Sequence, residues 1–107
     1  MNTLERIIDL SINQDVRISE HGYDELANDN LTAREVISGV LDAVLIEDYP
    51  EYKKGASVLV LQKDHSGKAI HVVWGIPIGY DKPAVLITAY KPNPELWGES
   101  LMERKRK

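Results

Sequence analysis

The chain has 107 residues, the length of one small domain, with 43% hydrophobic residues, 28% charged residues and no cysteine; this excludes disulfides, thiolate catalysis and cysteine-based zinc sites. The longest apolar runs, such as AVLI at 43–46, fall far short of the roughly 20 residues a membrane span needs, and MNTLERIIDLSINQD is amphipathic rather than signal-like, so a cytoplasmic protein with no membrane partner is expected. A formal net charge of −4 argues against a nucleic-acid binder until it is resolved along the chain: residues 1–52 hold twelve acids and three bases, residues 53–107 five acids and ten bases.

The elements follow in order. Leu4, Ile7, Ile8, Leu10 and Ile12 are spaced as the apolar stripe of a helix over 2–13. Val16 and Ile18 flank Arg17 in a short extended piece. Ser19 is placed to cap a second helix over 20–28, and Asn28-Asp29-Asn30 reads as a loop. Thr32-Ala33-Arg34-Glu35 is a capping box, which predicts a third helix over 33–41 that buries Val36, Ile37, Val40 and Leu41. The period then becomes strand-like. Strands are expected over 43–49, 56–63, 68–76 and 84–90, with the turn Asp64-His65-Ser66-Gly67 closing a hairpin. Helices first and strands second give an α+β domain over 1–98, with two to three helices packed on one face of a four-stranded, mainly antiparallel sheet. A basic tail over 99–107 completes the chain, and it carries Arg104, Lys105, Arg106 and Lys107.

The residues suited to chemistry are few. His21 opens the second helix, where a neutral imidazole can take a proton; a hydrogen-bonded structural histidine is the plainer reading. His71 lies in KAIHVVW, where Ile70, Val72 and Trp74 share the core face and Ala69, His71, Val73 and Gly75 the other. Thr88 and Tyr90 share a face of the last strand with Leu86, opposite Ile87 and Ala89, and Lys91 follows. A tyrosine beside a lysine can meet phosphate oxygens or stack on a base, or it can close the edge of the core. His65 reads as a solvated turn residue. Histidine spacings of 44 and 6 match no zinc pattern, and no phosphate-binding glycine motif occurs, so no cofactor is expected. Glu47, Asp48 and Glu51 read as a solvated acidic loop.

Four segments in order, RISEHG (17–22), LTAREV (31–36) with IEDYP (46–50), HVV (71–73), and VLITAYKP (85–92) with Trp97 beyond, resemble the bacterial domain-of-unknown-function family 4258 over about residues 16–98. The resemblance implies a fold grouped with the barnase, colicin and RelE-like ribonucleases. Many of these are toxins held by a cognate antitoxin, here of zinc-finger or helix-turn-helix type. It implies a metal-independent endoribonuclease in which the RNA 2′-hydroxyl is the nucleophile. His21, His71 and Tyr90 would then be catalytic, and Arg17, Lys91 and Thr88 would bind RNA phosphate. The pattern H-A-x-x-R-M-x-x-R of relatives is replaced here by HGYDELANDN, with Glu25 and Asp29 where arginines would fall. That departure keeps open a catalytically inactive member acting as a protein-interaction module. A small-molecule binder using the His71/Tyr90 face is a third reading.

Overall fold

A computed structural model describes residues 1–98 and 101–103. The basic cluster at 104–107 lies outside the described residues.

The chain begins with helix α1 (Thr3–Ile12). Asn2 and Glu5 close a capping box at its start, so two otherwise orphaned backbone donors are satisfied. Gln14, at φ 60°, then turns the chain into strand β1 (Val16–Ile18). Helix α2 (Glu20–Asn28) starts at Ser19, whose hydroxyl accepts from the Gly22 N–H and donates to the Ile87 carbonyl. Thr32 and Glu35 form the expected capping box at the start of helix α3 (Ala33–Gly39). A 3₁₀ turn (Val40–Asp42) follows, then strands β2 (Val44–Tyr49), β3 (Ser57–Lys63), β4 (Ala69–Gly75) and β5 (Ala84–Tyr90).

Among the described residues the sheet has five strands in the order β1-β5-β4-β3-β2, one more than the sequence suggests. β2 to β5 form an antiparallel meander, while β1 pairs with β5 in parallel through Val16↔Ala84, Arg17↔Val85 and Ile18↔Leu86. The parallel ladder continues at both ends, with Ala84 N–H donating to Asp15 and Ser19 N–H to Leu86. A three-residue run has too little periodicity to announce itself as a strand. It becomes one because β5 offers a free edge where α1 hands the chain to α2.

The helices cover one face of the sheet. Ile7, Leu26, Leu31, Val36 and Val40 meet Val58, Val60, Ile70, Val72, Trp74, Ala84, Leu86 and Ala89 there. Each large apolar side chain so buried contributes roughly 1.5–3 kcal/mol. Gln62 is buried in this core and fully used: Trp74 Nε1–H donates to its Oε1 at 2.9 Å, and its Nε2–H donates to the Val36 carbonyl at 2.8 Å. This amide ties α3 to the sheet and leaves no room beside it, since a Cβ at Gly39 would stand 2.9 Å from Gln62 Nε2.

Two expected core positions are outside. Ile12 is 63% exposed and Leu41 53% exposed. Helix α3 gives way to the 3₁₀ turn at Val40, and the tighter winding swings Leu41 off the apolar stripe. Ile12 is the last residue of α1, past the point where the helix meets the sheet.

Candidate functional site

Among the described residues, the other face of the sheet carries no helix. β-alternation and register place Arg17 of β1, Val85 of β5, Gly75, Val73 and His71 of β4, and Ser57 and Leu59 of β3 on it. β5 does not alternate simply. Trp74 pairs with Leu86 and Val73 with Thr88, so Ile87 is an extra residue in a bulge. Leu86 therefore turns into the core with Ala89, while Thr88 and Tyr90 belong to the open face. The grouping of Leu86 with Thr88 and Tyr90 expected from strict alternation is thus corrected by one inserted residue.

One end of this face is roofed by the C-terminal segment. His71 is 0% exposed, and its ring meets Trp97 edge-on at 4.4 Å and Tyr90, its cross-strand partner, at 5.5 Å. His71 Nε2 lies 2.6 Å from the Leu101 carbonyl oxygen. A carbonyl only accepts, so Nε2 carries the hydrogen. The strand thus presents His71 on the side its sequence predicts, beneath Trp97 and Leu101.

The other end of the face is open. A cleft of about 370 Å³ is lined by Arg17, Tyr52, Lys54, Ser57, Gly75, Val85 and Ile87, together with the backbone around Gly55 and Pro77. It runs into a second hollow whose walls are Tyr49, Tyr52, Ser57, Val73 and Ile87. The floor is low because Gly75 carries no side chain where a Cβ would stand 2.8 Å from Ile87 Cδ1. Among the described residues, no acid lines the first cleft. Among the described residues, neither Arg17 nor Lys54 is ion-paired. Tyr49 donates its hydroxyl to Glu47 at 2.9 Å, which fixes the ring at the rim. Two unneutralised cations, two tyrosines and a serine hydroxyl over an apolar floor suit a ligand with phosphates and flat rings.

The predicted site residues fall into three places. Arg17 is in the open cleft. His71, Tyr90 and Thr88 share the same sheet face towards the roofed end. His21 and Lys91 lie elsewhere. His21 projects from α2 in the helix layer, its side chain 65% exposed and its Nε2 3.7 Å from Glu25. Helix α2 packs on the core face of the sheet, and His71 belongs to the opposite face. Lys91 N–H donates to Asp29 Oδ2 at 2.8 Å, which ties the end of β5 to the C-cap of α2. The two acids that replace arginine in the family pattern therefore have local partners here, Glu25 beside His21 and Asp29 on the Lys91 backbone. His65 is not merely solvated: its backbone N–H and its ring both bond the Glu35 carboxylate.

Sequence reasoning passed over Tyr49, Tyr52, Lys54, Ser57 and Ile87. YPEYKKG (49–55) carries two tyrosines and two lysines, but its Glu51, after Glu47 and Asp48, reads as part of a solvated acidic loop. Among the described residues, no three His, Asp or Glu side chains gather as a metal site would require, and no helix is long and apolar enough to cross a membrane.

No curated protein and no solved structure matches the chain. One family does match, described as "Domain of unknown function (DUF4258)", over residues 18–91. That span runs from the end of β1 through α2, α3 and the whole meander, and the chain belongs to this DUF4258 family.

Proposed function

We propose that this chain binds single-stranded RNA on the helix-free face of its sheet and cleaves it as a metal-independent endoribonuclease, the toxin half of a toxin–antitoxin pair. The observation that carries the reading is the open cleft, where Arg17 and Lys54 stand beside Tyr52 and Ser57 and, among the described residues, without acids. The reaction such a cleft suits is transesterification. The 2′-oxygen attacks phosphorus, the bond from phosphorus to the 5′-oxygen breaks, and the products are a 2′,3′-cyclic phosphate and a 5′-hydroxyl. Arg17 and Lys54 balance the charge that builds on the phosphorane. His71 and Tyr90 serve proton transfer only when Trp97 and Leu101 draw aside.

The test is incubation of purified protein with RNA in EDTA, with analysis of the ends formed. Cyclic phosphate ends are expected, at a rate at least about 100-fold lower in an Arg17→Ala/Lys54→Ala variant. Equal degradation by wild type and variant would mean a contaminating nuclease and would sink the proposal. The sealing of His71 favours a second reading, a member of the fold that binds without cleaving. That reading predicts RNA binding sensitive to Arg17→Ala with no cyclic phosphate formed.

A further inference from the structure

Beyond Gly75 and Ser57 the β3–β4 pairing continues into the loops. Ile76 N–H donates to Ala56 at 2.9 Å and Ile78 N–H to Lys54 at 3.0 Å. The paired backbone makes a ridge at the end of the sheet. On one side lies the cleft already described. Against the other lies a separate cleft of about 380 Å³, into which α1 brings Arg6 and the Pro77–Tyr80 turn brings Tyr80. The two clefts share Tyr52, Gly55, Ile76 and Pro77 as their common wall.

The second cleft shares only part of the chemistry of the first: one cation, Arg6, and the rings of Tyr52 and Tyr80. Arg6 is half-buried and, among the described residues, has no ion-pair partner. Tyr52 and Tyr80 are exposed aromatic rings at the rim. Glu51 also lines this cleft, so a bare anion is less well served here than a nucleotide that offers a ring as well as a phosphate.

We propose that this second cleft holds a further nucleotide of the same RNA strand, with Arg6 on its phosphate and Tyr80 and Tyr52 stacking on its base. The strand then crosses the ridge at Tyr52, and the chain reads a longer stretch of single strand than the sheet face alone accepts. This inference rests on RNA binding in the first cleft, though not on cleavage. Stacking on an aromatic ring is sequence-tolerant, so the second cleft adds affinity and directionality rather than base choice.

The experiment measures the affinity of a 2′-O-methylated nonanucleotide, which cannot be cleaved, at several salt concentrations by fluorescence anisotropy. Arg6→Ala is expected to reduce the slope of log K against log salt by about 0.7, the contribution of one phosphate of a single strand. Tyr80→Ala is expected to weaken binding at least about fivefold with the slope unchanged. Arg34→Ala, on the helix layer, should bind as wild type, which separates a local contact from net charge. Tyr80 is 71% exposed, so its removal leaves the core intact, and circular dichroism confirms folding of each variant. If Arg6→Ala and Tyr80→Ala bind as wild type while Arg17→Ala is weaker, the second cleft is overturned and the first stands. If the Arg34→Ala loss equals that of Arg6→Ala, the second cleft is likewise overturned. If wild type does not bind, both readings fall.

Discussion

A Cβ at Gly55 would stand 1.9 Å from the Ile76 carbonyl oxygen and 2.7 Å from the Ile78 nitrogen, and the residue holds φ +128°. Both the backbone angle and the space demand glycine there, at the ridge between the two clefts. Gly79, at φ +80°, has nothing within 4 Å of a Cβ. Replacing Gly79 by alanine should cost about 1 kcal/mol, the conformational part alone. Gly55→Ala should cost about 3 kcal/mol or more, because the loop must also move. Urea unfolding of the two variants checks the difference, and equal losses would show that the ridge is not tightly built. The sequence places Gly55 just before the expected strand 56–63, and Gly79 between the expected strands 68–76 and 84–90. It does not show that one of them presses against a strand end twenty residues later.

At the scale of elements, Glu35 joins α3 to the β3–β4 hairpin. Burial alone would raise its pKa, but hydrogen bonds from Thr32 N–H, His65 N–H and the His65 ring outweigh it, and the carboxyl sits below its ordinary value of 4.5. A group whose folded pKa is lowered stabilises the fold above its unfolded pKa, and that contribution is lost as pH falls through the folded value. Stability should therefore decline below about pH 4.5. Glu35→Gln should cost about 1–2 kcal/mol at neutral pH and flatten part of that decline. Asp64, held low first by the Lys68 N–H and then by the Ser66 hydroxyl, adds to the decline with the same sign, so the flattening is incomplete. Thermal melts across pH 3–7 check it, and an unchanged profile in the variant would discount the clasp. The capping box was legible in T-A-R-E. The second use of its glutamate was not, because His65 arrives from another element. The bulge in β5 was equally hidden, since V-L-I-T-A-Y looks regular and Ile87 is an extra residue only against β4.

At the scale of the molecule, the sheet divides two environments. The helices, their caps and the 3₁₀ turn carry eight of the seventeen acids, and the opposite face holds Arg17 and Lys54 at one end and a covered histidine at the other. If Trp97 and Leu101 seal His71 in solution, diethyl pyrocarbonate should modify His21 and His65 but spare His71. Trp97→Ala should open His71 to the reagent and destabilise the fold by about 3–5 kcal/mol. Mass spectrometry of the modified peptides reads the result, and rapid modification of His71 in the wild type would remove the cover from the picture.

By itself the sequence determined what depends on near neighbours: three helices, the second and third with their caps, four strands with a hairpin turn, the core face of β4, and an α+β order of elements. These follow from spacing and capping within a few residues. The tertiary structure decided what depends on distant pairing. It made Val16–Ile18 a fifth strand, turned Leu86 inward through a bulge, covered His71 with Trp97, placed His21 in the other layer, and gathered Arg17, Tyr52 and Lys54 into one cleft. A side chain's local period says which face it takes. What shares that face is set by the order in which strands pair, and no local spacing carries that order.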